Sequence, residues 1–115
     1  MTILTINLTH CFKRDLQQSL TEEVCQVKDV AQALHQIKVR DFTCIITDVR
    51  QRDCATEDLA QLIAATSLGT TIIGLGSART VSDPDYWRAQ GIVLIYELDD
   101  DRLLELIIKY CSNAR

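Results

Sequence analysis

An aspartate at the end of an apolar run is the residue of this chain best placed to do chemistry. Residues 42–48 are dense in apolar and β-branched side chains, which is typical of a strand buried on both faces, and Asp48 is the last of them. In an open α/β sheet, ligands bind just outside the carboxyl ends of the strands. Asp48 is therefore the first candidate site residue. A structural role remains open, in which its carboxylate caps the next loop or pairs with Arg50 or Arg52.

Three other groups of residues invite a chemical interpretation, and each has a simpler one. His10 and Cys11 are adjacent, but neighbouring side chains usually point in different directions and no third group to orient them is evident. Residues 74–77 contain two glycines, yet they lack the length and the lysine of a phosphate-binding loop, so a tight turn is favoured. The three aspartates at 99–101 suit the start of a helix. We predict no metal site and no cofactor.

The elements that must position these residues alternate along the chain. Strand patterns cover residues 2–8, 22–27, 42–48, 70–75 and 92–96. Helix patterns begin after Thr9, at Lys28, after Thr56, after Ser82 and near Leu98. Thr56 and Ser82 are the predicted N-caps of the third and fourth helices, and Gly69 is the predicted end of the third. Strands that alternate with helices predict a doubly wound parallel sheet of the α/β class.

Length, charge and cysteine content narrow the function classes. We expect one domain over residues 1–115, because a chain of 115 residues can build one core but not two. A formal net charge of -4 argues against binding to nucleic acid or to an anionic membrane surface. The five cysteines are irregularly spaced and form no CxxC pair, and no signal peptide or membrane span is evident. We expect a reduced, cytoplasmic protein.

The alternation, the length and the aspartate at the end of the third strand resemble the CheY-like receiver domains of response regulators. The resemblance implies a flavodoxin-like three-layer sandwich, with a five-stranded parallel sheet in the order 2-1-3-4-5. It also implies that Asp48 occupies the phospho-acceptor position. In that family two acidic residues after the first strand hold Mg²⁺. A Ser or Thr after the fourth strand senses the phosphoryl group, and a lysine after the fifth pairs with it.

Only part of that set is present in this chain. Carried over by position, the acidic pair, the hydroxyl and the lysine fall on Asn7 with Leu8, on Ser77, and on Glu97 or its neighbour Leu98. Mg²⁺ prefers charged oxygen ligands, and phosphoryl transfer needs metal or cationic groups to neutralise developing charge. The pocket is therefore expected to be degenerate, as in an atypical pseudo-receiver. Arg50 or Arg52 could instead lie over the pocket and replace the lysine.

The function predicted from this resemblance is that of a non-catalytic regulatory module, not an enzyme, acting by protein–protein interaction in signal transduction or transcriptional control. Receivers commonly dock or dimerise through the fourth helix, fifth strand and fifth helix, here about residues 84–110. Tyr and Trp are favoured at interfaces, and the last helix carries more apolar residues than one stripe requires. The predicted contact residues, for a homodimer or a protein partner, are Trp87, Tyr96, Leu104, Ile108 and Tyr110.

Alternatives of other classes stay open at this point. Cys11 follows the first strand, as does the cysteine of the phosphocysteine carriers of sugar phosphotransferase systems, although Phe12-Lys13-Arg14 replaces the phosphate loop of that family. A small enzyme on the same fold, or a receiver still weakly phosphorylated at Asp48, is also compatible with the pattern. The residues at 112–115 resemble the start of a linker, so a further output domain of a longer regulator is a further expectation.

Overall fold

The computed structural model of the chain describes residues 2–8, 10–19, 23–50, 54–66, 69–77, 79–96 and 99–113. Within them the strands are β1 (Thr2–Ile6), β2 (Glu23–Val27), β3 (Cys44–Asp48), β4 (Thr71–Leu75) and β5 (Ile92–Ile95). The helices are α1 (His10–Ser19), α2 (Val30–Val39), α3 (Ala55–Ala65), α4 (Pro84–Ala89) and α5 (Asp100–Asn113).

The strands form one parallel sheet in the order β2-β1-β3-β4-β5, which confirms the predicted fold. In the centre of the sheet, Ile45 of β3 lies opposite Leu4 of β1 on one side and Ile72 of β4 on the other. Residues 44–47 are all buried. Strands covered on both faces read as continuous apolar runs rather than alternating ones, and this is the pattern that residues 42–48 show in the sequence.

Two apolar clusters fill the spaces between the sheet and its helices. One joins Leu4, Ile45 and Ile72 to residues of α2, α3 and α4, among them Ala33, Leu59 and Trp87. The other joins Ile3, Ile46 and Ile73 to residues of α1 and α5, among them Leu16, Leu103 and Ile107. Successive strand residues point to opposite faces, so β1, β3 and β4 each contribute to both clusters. The result is a three-layer sandwich. None of the described helices is long and apolar enough to cross a membrane.

At three helix ends the capping residue differs from the one expected from the sequence. Helix α3 begins at Ala55, so Thr56 lies inside it, and it ends at Ala65, well before Gly69. Thr66 ends it instead: its backbone N–H and its hydroxyl both donate to the Leu62 carbonyl, so no left-handed glycine is needed. At α4 the N-cap is Asp83 rather than Ser82, because the Asp83 carboxylate accepts from the Tyr86 N–H.

The predicted contact residues differ in exposure, and the expectation is wrong for Trp87. The Trp87 side chain is 8% exposed and belongs to the core, since the short helix α4 packs against β5 with this ring inward. Its neighbour Tyr86 is 52% exposed and meets Trp87 edge to face, with the ring centroids 4.9 Å apart. Tyr96 is half-buried, and so are three residues of α5: Leu104, Ile108 and Tyr110. Those three pack on the border of the core.

Candidate functional site

The carboxylate of Asp48 is held by the guanidinium group of Arg50. Arg50 Nε donates to Asp48 Oδ1 at 3.0 Å, and Arg50 Nη2 donates to Asp48 Oδ2 at 2.8 Å. The Arg50 backbone N–H also donates to Oδ1, at 3.1 Å. The side chains are 12% exposed for Asp48 and 19% exposed for Arg50. Asp48 therefore pairs with Arg50, which is one of the structural roles that the sequence leaves open.

The backbone around Asp48 explains why this pair forms. Val49, directly after β3, is buried and donates its N–H to the Leu75 carbonyl of β4 at 2.8 Å, so the chain stays on the sheet for one residue more. The chain then turns at Arg50. A carboxylate that accepts from the N–H two residues later stabilises such a turn. The turn brings the Arg50 side chain back over the carboxylate, where the planar guanidinium can bond both oxygens at once.

The end of β1 supplies no carboxylate to this site. Asn7 adopts a left-handed backbone conformation with φ of 63°, which asparagine tolerates better than most residues. Its Nδ2 lies 3.5 Å from the Asp48 backbone carbonyl, a long contact, and not on the carboxylate. Leu8 is 6% exposed and packs in the core with α1 and α5. Among the described residues, no three His, Cys, Asp or Glu side chains lie close enough together to hold a metal ion.

Ser77, which the resemblance to receiver domains places at the sensing position, is engaged in its own turn. Its Oγ lies 3.1 Å from Thr80 Oγ1, and its carbonyl accepts from the backbone N–H groups of Thr80 and Val81. The Thr80 hydroxyl in turn lies 3.2 Å from the Ser77 N–H. These bonds fix the hydroxyl of Ser77 locally, and none of them involves Asp48.

Arg79 links the loop after β4 to the loop after β3, and no sequence pattern identified it as a site residue. Its Nη2 donates to the Arg50 backbone carbonyl at 3.4 Å, from a residue that is exposed. The loop after β4 therefore contacts the loop after β3 through an arginine. We call the polar residues at the carboxyl ends of β1, β3 and β4 the carboxyl-end cluster; its members are Asn7, Asp48, Arg50, Ser77 and Arg79.

The loop after β4 is also fastened to β5. The Tyr96 hydroxyl donates to the Val81 carbonyl, and the Gly76 N–H donates to the Ile95 carbonyl at 3.0 Å. A Cβ on Gly76 would lie 3.1 Å from Val81 Cγ2 and 3.3 Å from Tyr96 Cε1, so a larger residue would make these neighbours give way by a few tenths of an ångström. Burial raises the pKa of the Tyr96 phenol; the Arg88 charge opposes this rise and Asp83 adds to it.

Several residues named by the sequence fall outside this picture. Glu97 and Arg52 lie outside the described residues, so their positions relative to Asp48 stay predictions. Helix α1 begins at His10, while the side chain of Cys11 lies outside the described part of the structure. A cysteine that sequence reasoning did not single out, Cys54, is the N-cap residue of α3, with its Sγ 4.0 Å from Asp58 Oδ1.

This arrangement limits what Asp48 can do. A carboxylate attacks phosphorus through an oxygen lone pair, and here both oxygens accept charge-assisted hydrogen bonds from Arg50. Oδ1 accepts two hydrogen bonds and Oδ2 accepts one, so an attacking Oδ2 would have to use its remaining lone pair beside a guanidinium that draws negative charge away from it. The guanidinium offers positive charge but no oxygen ligand, and so it cannot hold Mg²⁺ in place. The cluster is suited to a stable ion pair at the end of the sheet.

Comparison with known proteins supports the fold. No protein-family model matches the sequence, and no curated protein matches it significantly. A CheY-like response regulator receiver domain protein from Methanospirillum hungatei JF-1 has a similar structure, with a TM-score of 0.70 and 18% identity, covering 98% of this chain and 94% of that chain. The signal receiver domain of an HD domain-containing protein from Pseudomonas fluorescens Pf-5 has a TM-score of 0.64 and 25% identity. This match covers 98% of this chain and 95% of that chain.

The same fold also matches part of a much larger protein. The lysine decarboxylase LdcF from Francisella novicida has a TM-score of 0.66 and 12% identity, with 98% of this chain but 17% of that chain covered. One fold thus occurs in different proteins, and the fold does not by itself name a function. With its strand order and its similarity to receiver domains, the chain has the CheY-like receiver fold.

Proposed function

We propose that this chain is a receiver-like regulatory module of signal transduction in which Asp48 is not a phospho-acceptor and the output is binding to another protein. The receiver fold supports a signalling module in general. The observation that carries the finer proposal is the two-point hydrogen bonding of the Asp48 carboxylate by Arg50. Asn7 and Leu8, where receivers carry their acidic pair, add to it because neither side chain brings a charged oxygen to Mg²⁺.

The ion pair also helps to hold together loops that a bound ligand would otherwise order. Arg50 neutralises Asp48 within the chain, and Arg79 ties the Arg50 carbonyl to the loop after β4. That loop is joined to β5 through Tyr96 and Val81. Three loops at the carboxyl end of the sheet are thus connected in the protein alone. We infer a module with one persistent conformation, whose regulation comes from the amount or location of its partner.

Phosphorylation is tested directly with a small phosphodonor. The protein is incubated with acetyl phosphate and Mg²⁺, and its intact mass is measured at once, beside a typical receiver domain as the positive control. We expect the mass to stay that of the unmodified chain, because the nucleophile is engaged and the metal ligands are lacking. A stoichiometric gain of one phosphoryl group that disappears in Asp48→Asn would overturn the proposal and favour the weakly phosphorylated receiver.

The binding surface that we propose lies on α4, β5 and α5, for a protein partner or a second copy of the chain. Tyr86 is its most exposed aromatic residue, and Leu104, Ile108 and Tyr110 are half-buried along α5. Partly covered apolar side chains and an exposed aromatic ring are typical of interface anchors. Arg88 and Asp85, 3.9 Å apart, provide charges on the same helix as Tyr86.

Substitutions on this surface test the contact. Ile108→Glu places a charge in the apolar row, whereas Lys109→Glu places the same group at the next, exposed position as the matched control. We expect Ile108→Glu to reduce association, measured by light scattering and by binding to a captured partner, because an unpaired charge at a contact is costly. Equal behaviour of both variants and the wild type, with all three folded by circular dichroism, would remove this surface from the proposal.

The compartment is part of the proposal as well. Cys25 carries a free thiol, and a reducing compartment such as the cytoplasm keeps a thiol in that state.

A further inference from the structure

The two edges of the sheet differ in how their backbone groups are satisfied, and β2 is the open one. The carbonyl of Val27 accepts from the Asn7 N–H, and the carbonyl of Cys25 accepts from the Thr5 hydroxyl, so these two residues face β1. Backbone groups alternate in direction along a strand. The N–H and C=O groups of Val24 and Gln26 therefore point away from the sheet. Within the described residues, no hydrogen bond to these four groups is present.

The opposite edge is covered. Arg88 of α4 donates from Nη2 to the Leu94 carbonyl at 3.2 Å, which satisfies an outward-facing group of β5. Helix α4 also packs along this strand. Natural sheets commonly protect an edge with a proline, a bulge, an inward charge or a covering element. Strand β2, whose sequence is EVCQV, carries neither a proline nor a bulge in its register with β1.

We propose that β2 is a self-association edge that pairs antiparallel with β2 of a second copy of this chain, forming one continuous sheet across a two-fold axis. This goes beyond the function proposed above, whose contact surface lies at the β5 side of the molecule. The spacing of the open groups fits such an axis through Cys25. Val24 of each copy then lies opposite Gln26 of the other, and these two residue pairs exchange four hydrogen bonds between their outward N–H and C=O groups.

Charge favours a second copy in this orientation. Glu23 is exposed at the start of the strand, where its Oε1 lies 3.2 Å from Arg40 Nη2 of the same chain, and Lys28 is exposed directly after the end of the strand. Antiparallel pairing brings the acidic start of one copy beside the basic end of the other, twice, whereas parallel pairing would set like charges side by side. The flanking face of α2 leaves room for this, because Ala31, Gln32 and His35 are exposed small or polar residues beside β2.

Pairing about this axis predicts that the Cys25 thiols of the two copies lie close together. Cys25 of the two copies would form a non-hydrogen-bonded pair with a Cα separation of about 4.5 Å. This lies within the range of about 4.4–6.8 Å that a disulfide spans. Copper–phenanthroline, which removes two electrons and two protons from a thiol pair, should therefore give a covalent species of twice the 13.0 kDa of the chain. Cys25→Ser should lose this species, and Cys54→Ser should keep it.

Amide hydrogen exchange tests the edge in the unmodified protein. Pairing protects the N–H groups of Val24 and Gln26, so their exchange should slow as the protein concentration rises. The Cys25 N–H, which faces β1, serves as the internal control, and its exchange should follow only the stability of the domain. Val24→Pro removes an outward donor that the fold does not use and should lower the dimer fraction in sedimentation, whereas Val24→Ile should not.

The outcomes separate this proposal from the surface on α4 and α5. A dimer that Val24→Pro splits and Ile108→Glu leaves intact supports the β2 edge. The reverse result overturns the edge and supports the other surface. A chain that stays monomeric at ~1 mM, the scale of a very weak complex, with exchange at Val24 and Gln26 independent of concentration, also overturns it. If Val24→Pro fails to fold, the exchange and cross-linking measurements on wild-type β2 still decide.

Discussion

Strand β3 carries two contrasting regions within five residues. Ile45 and Ile46 lie in the interior of the sheet, 1% and 0% exposed, and each packs on a different face. Asp48, at the end of the same strand, is held by the directed hydrogen bonds of Arg50. The interior is stabilised by burial, which has no direction and accepts many apolar residues, whereas the ion pair needs two particular side chains in one geometry. Interior residues therefore support the fold, and strand-end residues decide what it can do.

The largest effect is expected in the interior. Ile46→Ala should lower the free energy of unfolding by about 3 kcal/mol, because it removes buried methyl groups and leaves a cavity. Urea denaturation followed by circular dichroism measures this change. Val39→Ala removes a side chain that is 64% exposed and should change the same quantity by less than about 0.5 kcal/mol. Equal losses in the free energy of unfolding for Ile46→Ala and Val39→Ala would contradict the conclusion that burial in the interior stabilises the fold.

A smaller effect is expected at the carboxyl-end cluster. Arg50→Met should cost about 1–2 kcal/mol, because Asp48 loses two charge-assisted bonds but lies close enough to the surface to be rehydrated. A double-mutant cycle with Asp48→Asn isolates the pair and should give a coupling free energy of about 1 kcal/mol. Additive effects of the two substitutions would mean that the two side chains do not act together in solution.

The smallest effect is expected at Tyr96, and it depends on pH. Tyr96→Phe removes the bond to the Val81 carbonyl and should cost about 1 kcal/mol near neutral pH. Because burial raises the pKa of Tyr96 above its ordinary value, the folded state holds this proton more tightly than the unfolded state. The wild type should therefore lose stability as the pH rises through about 10 and above, more steeply than Tyr96→Phe.

Tyr86 and Tyr110 are present in both proteins, so their titration cancels when the two pH profiles of unfolding are subtracted. Parallel profiles above pH ~10 would show that the Tyr96 phenol has no such preference. This result would also weaken the proposed link between the loop after β4 and strand β5, which depends on that hydroxyl.

Local features of the sequence predicted the helix ends less well than the elements themselves. Asp83 and Ser82 are both good N-cap residues one position apart, and the choice depends on which side chain meets the N–H of Tyr86. Thr66 ends α3 with two bonds to one carbonyl, a solution that the glycine rule does not foresee. Small differences in local geometry decide which residue caps a helix. The capping residue can therefore differ from the predicted one although the helix itself is predicted correctly.

The sequence by itself determined the architecture, because the apolar runs of β3 and β4 and the helical spacing between them leave few other ways to bury the same side chains. It also determined that the end of β1 lacks an acidic pair. Only the tertiary structure decided that Arg50 bonds Asp48, that Trp87 turns inward and that Arg79 reaches the Arg50 carbonyl. Arg79 is 29 residues from Arg50 along the chain, and their contact exists because parallel pairing places the ends of β3 and β4 side by side.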